Sequence, residues 1–146
     1  EALRYQILDA YLGVPYTDRS KFFLGYRQQE LKETATNLKE MDDKVRSGNT
    51  APISMKEYTG AYSNTVYGQI NIQQNGKDLI VSFSHHPQLT AKLEYMNNNE
   101  FRLTFSNIAY GIAPAKFTVE NGKVRSVEIK ATDFVEYDAY LFNKEN

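Results

Sequence analysis

Cysteine is absent from this 146-residue sequence, and disulfides, thiol catalysis and zinc–thiolate sites are absent with it. Tryptophan is absent too, histidine occurs twice and proline four times. No run approaches the ~20 apolar residues of a membrane-spanning helix, and no apolar stretch of signal-peptide type lies near the start. Charge of one sign is not in excess. Lys and Arg total 17 against 18 Asp and Glu, so the global basic field of a nucleic-acid binder is excluded. The first residue is Glu1 rather than Met, so a processed or excised piece is expected. What the sequence has in quantity is tyrosine, 11 residues, with 8 phenylalanines, on a wet background of mean hydropathy −0.57. A chain of this size buries roughly 70% of its unfolded surface and folds without a covalent staple.

The hydrophobic period changes near Ser47-Gly48-Asn49-Thr50-Ala51-Pro52. Before it, Leu3, Ile7, Leu8 and Tyr11 form a short helical stripe ended by Gly13 and Pro15. A second helix is predicted from Thr17 or Asp18, either able to cap the first turn, to about Arg46, with Gly48 suited to close it. Within it Leu24, Leu31, Leu38 and Val45 recur at heptad spacing, beside Ala35 and Met41. A seam so narrow must lie on something, and a rod of roughly 43 Å is longer than a small barrel is tall. Two placements satisfy it: a strap on the chain's own β domain, or a connector packed on a neighbouring domain. Residues 1–50 are therefore read as a helical junction and 51–146 as the β domain.

From Lys56 onward the period is two, and about eight short strands are expected at the spacing of an all-β sandwich or barrel. The apolar sets are Tyr58, Gly60 and Tyr62; Val66, Gly68, Ile70 and Ile72; Leu79, Val81 and Phe83; Ala91, Leu93 and Tyr95. They continue with Phe101, Leu103 and Phe105; Phe117 and Val119; Val127 and Ile129; and Tyr137, Ala139 and Leu141. Asn75-Gly76 and Asn121-Gly122 are type I′ hairpin signals, Asn97-Asn98-Asn99 is a further tight turn, and Ser63-Asn64 turns the first strand into the second. Ser106 to Ala115 is the one long connection expected. Closing such a meander removes both exposed edges, so an eight-stranded antiparallel up-and-down barrel, preceded by one or two helices, is preferred to a sandwich.

Motifs for chemistry are few. His85-His86, followed by Pro87, is read as a solvated loop pair, because no third His or Cys completes a metal site. There is no Gly-x-Ser-x-Gly elbow, no Ser-x-x-Lys and no phosphate-cradle glycine loop. Tyr62-Ser63-Asn64 reads as a β-turn, and Asp133, Glu136 and Asp138 as acids flanking the last strand on an exposed rim. No catalytic residue, metal or cofactor is assigned. Tyr58, Tyr62, Phe83, Tyr95, Phe101, Phe105, Phe117 and Tyr137 are the rings expected inside. Barrels of this size are filled by side chains or hold one small ligand. Eight rings favour filling. For a surviving pocket, framed by 85–88 and 106–114, the candidate rim residues are His85, His86, Tyr110 and Tyr95.

Tyr58-Thr59-Gly60-Ala61-Tyr62-Ser63-Asn64, then Tyr67-Gly68-Gln69-Ile70-Asn71-Ile72, resembles the opening of the β domain that follows the catalytic domain in class C β-lactamase/penicillin-binding-protein-type serine hydrolases. Phe117-Thr118-Val119-Glu120-Asn121-Gly122-Lys123-Val124-Arg125-Ser126-Val127 is similar to a later segment of that domain, and Ile7–Gly13 followed by Asp18 to the junction before it. Where members often carry a Trp- and His-containing middle segment, this chain has 92–96 and 101–103 and no Trp. The resemblance implies a lipocalin-like barrel, a periplasmic or otherwise extracytoplasmic setting, and an upstream Ser-x-x-Lys catalytic domain as intramolecular partner. The expected role is a non-catalytic accessory domain, with Leu24, Leu31, Leu38 and Val45 as the interdomain or self-association seam. The other reading is a free-standing lipocalin-like carrier of a small ligand. Neither nucleic acid nor a membrane span is expected.

Overall fold

The alternation of apolar and polar residues after Thr59 folds into eight strands in the computed structural model, which describes residues 1–131 and 137–145. They are β1 (Gly60–Asn64), β2 (Gly68–Asn75), β3 (Asp78–Phe83), β4 (His86–Asn97), β5 (Glu100–Phe105), β6 (Ile112–Glu120), β7 (Lys123–Ile129) and β8 (Tyr140–Lys144). All neighbours are antiparallel and in sequence order. β8 returns to pair with β1 through Tyr62↔Lys144 and Ser63↔Asn143, closing an up-and-down barrel. Two helices precede it, α1 (Ala2–Tyr11) and α2 (Arg19–Arg46), with a 3-10 turn at Met55–Tyr58. The fold class is the expected one.

The chain divides into two compact units, 1–39 and 40–146. In the first, Asp18 caps α2 by accepting from the Lys21 N–H at 2.9 Å. Arg19 holds Asp9 through two parallel hydrogen bonds of 2.7 and 3.1 Å, and Tyr5 stacks on Phe23 with centroids 5.6 Å apart. Neither α1 nor α2 contains a buried residue, and Leu24 and Leu31 remain 56% and 51% exposed.

The second unit holds the core. At the end where β4 turns into β5, the rings of Tyr58, Phe101 and Phe117 meet edge to face with centroids 5.0–5.1 Å apart. Tyr62 lies beside Phe117 at 6.2 Å and donates its hydroxyl to the Tyr58 carbonyl at 2.7 Å. The Tyr58 hydroxyl donates to Asn99 Oδ1 at 2.7 Å, and the Asn99 carbonyl accepts from the Phe117 N–H at 2.9 Å. This end of the barrel is plugged. Burial pushes the Tyr58 phenol up to about 12 and raises that of Tyr62 further.

Several local expectations change. Tyr58 belongs to the 3-10 turn, because its ring must reach across the barrel's end, and the first strand begins only at Gly60. Val66 is 71% exposed in the turn 65–67, where Asn64 Oδ1 accepts from the N–H groups of Val66 and Tyr67. Asn75 ends β2, so the β2–β3 hairpin loop is Gly76-Lys77, with only Gly76 at positive φ. Asn98 and Asn99 (φ 48° and 61°) and Asn121 and Gly122 (φ 52° and 75°) have the left-handed pairs of type I′ turns. β6 begins at Ile112, which shortens the long connection to 106–111. In the last strand Phe142 is buried, while Leu141 is 49% and Tyr137 79% exposed, so the expected phase there is off by one residue. Asp133 and Glu136 lie outside the described residues.

On the outer face, cross-strand partners Glu94 and Arg102 pair at 2.6 Å, Lys92 reaches Glu94 at 2.7 Å, and Arg102 also binds Asp42 at 2.6 Å. These contacts fix the last turns of α2 to the barrel wall. Asn49 donates to the Met96 carbonyl, which sits where the β4–β5 register shifts. Burial raises the Glu94 carboxyl, but the hydrogen bonds from Lys92 and Arg102 outweigh it and hold the group below its ordinary 4.5. A depressed folded-state value means that Glu94 contributes stability above 4.5 and loses it as pH falls through the folded value. In urea titrations below that pH, the wild type loses stability more steeply than Glu94→Gln; equal slopes would contradict this. The register of β8 has its own test. Phe142→Ala is expected to cost about 3–5 kcal/mol and Leu141→Ala less than about 1.5, measured by chemical denaturation.

Candidate functional site

The barrel's two ends differ. Opposite the plugged end, an apolar pocket of about 130 Å³ opens between the β3–β4 turn, the 106–111 connection and the start of β8. β3 contributes Phe83, β4 His86 and Leu89, and β5 Phe105. Tyr110 comes from the 106–111 connection and Tyr67 from the β1–β2 turn. Ile129, Ala131, Tyr140 and Phe142 complete the wall on the β7–β8 side. Phe105 stacks between Phe83 and Tyr110, at 5.8 and 5.5 Å, and Tyr67 lies 4.3 Å from Tyr140.

Local sequence explains how these side chains arrive there. Ser82 pairs with Thr90, but Phe83 pairs with His86, so Pro87, Gln88 and Leu89 are extra residues on the β4 side. Pro87 has no N–H to donate, which suits this position outside the ladder. The detour carries Leu89 into the mouth, where it is buried. Across from it, the Ser106 N–H donates to the Thr90 carbonyl at 2.8 Å, and Ser106 Oγ accepts from the Thr90 N–H at 3.0 Å. Asn107 Oδ1 accepts from the Ala109 N–H and starts the 3-10 turn Ile108–Tyr110, which positions the Tyr110 ring.

His85 and His86 are both exposed, as expected, but only one of them lies in a loop. His85 sits in a two-residue turn and His86 opens β4. A polar shelf of His85, Pro87, Gln88 and Asn107 adjoins the pocket and shares His86, Leu89 and Tyr110 with it. The His85 ring covers Gly68: a Cβ on Gly68, at φ +72°, would come within 2.6 Å of the imidazole. Among the described residues, no three His, Cys, Asp or Glu gather as a metal site. Of the four residues named for a rim, His85, His86 and Tyr110 lie together at the mouth. Tyr95 lies nine residues beyond His86 on β4, edge-on to Phe101 at 5.2 Å, and lines an outer groove with Val45, Asn49 and Glu94. Sequence reasoning missed Leu89, Tyr140 and Phe142 as pocket walls. Leu89 continues the alternation of Ala91 and Leu93 and was the available signal.

A family model described as "Domain of unknown function (DUF3471)" matches residues 44–144. No curated protein and no solved structure matches the chain. The contact over Gly68 can be checked. Gly68→Ala and Gly76→Ala each place a side chain at positive φ and are expected to cost about 1–2 kcal/mol. Only Gly68→Ala displaces the His85 imidazole, because nothing lies within 4 Å of a Cβ at Gly76. His85 ring NMR shifts that stay unchanged in Gly68→Ala would contradict the contact.

Proposed function

The chain belongs to the DUF3471 family, and we propose that it is a non-catalytic β-barrel domain acting by contact within a larger serine hydrolase of the class C β-lactamase type. The observation that carries the first part is the filled interior. Tyr58, Tyr62, Phe101, Phe105, Phe117 and Phe142 are all buried, and the pocket left at the mouth, about 130 Å³, is well below the ~300–1,000 Å³ of ordinary ligand sites. A long lipid chain exceeds that pocket, so the second reading is a free-standing lipocalin-like carrier of one small ligand. The parent enzyme is supported by the Tyr58–Ile72 and Phe117–Val127 motifs and by the helical junction in front of the barrel. With that parent goes an extracytoplasmic setting.

In this role the chain supplies surfaces rather than reacting groups. The half-exposed Leu24 and Leu31 on α2 are the apolar surface offered to the catalytic domain or to a second copy. Two measurements check the reading. Purified chain at micromolar concentration is expected to hydrolyse nitrocefin no faster than buffer, and turnover would refute a non-catalytic role. The full-length gene product is expected to carry Ser-x-x-Lys on the N-terminal side of Glu1; a parent lacking it would refute the serine-hydrolase assignment.

A further inference from the structure

We propose that the barrel mouth is a binding site for one uncharged phenolic ring, with the ring seated beside Phe83, Leu89, Phe105 and Phe142 and its hydroxyl directed to the shelf at His86 and Asn107. The site holds whether or not the chain sits in a larger enzyme. Three observations carry it. The first is size. About 130 Å³ lined by rings and aliphatic side chains is close to the ~150 Å³ apolar cavity that accepts benzene. One six-membered ring fits that volume. The second is the adjoining polar shelf. His85, Gln88 and Asn107 offer hydrogen-bonding groups directly beside an apolar hole, and His86 and Tyr110 belong to both. A ligand with an apolar body and one polar edge matches that division, whereas plain benzene leaves the shelf unused. The third is charge. Among the described residues, neither the pocket nor the shelf is lined by Lys, Arg, Asp or Glu. An aromatic carboxylate or amine would give up hydration here without gaining an ion pair, so a neutral hydroxyl is selected over a permanent charge.

The test is an NMR titration of the labelled chain with p-cresol. Saturable shifts are expected at Leu89, Phe105 and Phe142, with a dissociation constant on the order of 1 mM for so small a ligand. Benzoate is expected to bind at least about tenfold more weakly. Ala131→Leu, which fills the pocket from its wall, is expected to weaken p-cresol by at least about tenfold while the melting temperature is kept. Leu89→Phe carries the same expectation from the opposite wall, so the test survives if one variant fails to fold. Non-saturating shifts, equal affinity in a folded filling variant, or benzoate binding as tightly as p-cresol would each overturn the proposal. Tighter binding of N-acetyl-tyrosinamide than of p-cresol would also overturn it, in favour of a tyrosine side chain on a partner protein.

Discussion

The ring of Tyr58, wedged between Phe101 and Phe117, decides what this barrel contains. It arrives on a 3-10 turn just ahead of β1, so the chain crosses the barrel's end before it enters the sheet. Burying a ring of this size is worth roughly 1.5–3 kcal/mol, and edge-to-face pairs add about 0.5–1.5 kcal/mol each. A phenol in such a place still needs a partner for its hydroxyl, and Asn99 supplies it from the β4–β5 turn. Tyr62 accounts for the Tyr58 carbonyl in the same way. The plug is therefore apolar in bulk and satisfied at each polar atom that it buries. The apolar pocket lies at the far end.

That far end is built from irregularities. A regular β3–β4 hairpin would place Leu89 in the ladder and leave the mouth wide. Of the three extra residues on β4, Pro87 and Gln88 instead stay exposed, and Leu89 turns inward and narrows it. The connection 106–111 performs the matching task from the other side, with Asn107 starting a turn and Gly111 (φ +72°) releasing the chain into β6. The outside of the barrel follows different rules. Glu94, nearly buried, is held by Arg102 and Lys92, and Arg102 in turn holds Asp42 at the end of α2. A charge so placed ties the last turn of α2 to the sheet, because its removal would strand an unpaired partner.

Strand number, order and closure were legible in the sequence, since alternation survives wherever one face meets the core and the other meets water. Three features were not. Tyr58 reads as a strand residue by alternation with Gly60 and Tyr62, and nothing local shows that it caps the end. The last strand follows Tyr137, Ala139 and Leu141 as readily as Tyr140 and Phe142, and only the pairing of Phe142 with Val127 settles the phase. The start of β4 was hidden by His85, His86 and Pro87, all residues that signal loops. At the site, His85, His86 and Tyr110 were found because they flank turns. The apolar walls were missed because a pocket wall and a packed core have the same sequence pattern.

The central claim is a closed ring of strands plugged at one end by its own aromatic side chains. Amide hydrogen exchange resolved by NMR tests it most directly, at the short seam between β1 and β8. Closure predicts that the N–H of Glu145, bonded to the Ala61 carbonyl, and the paired amides of that seam are protected to a degree comparable with the β4–β5 ladder. Seam amides that exchange like those of a free edge, with β4–β5 still protected, would mean an open sheet and would contradict the account.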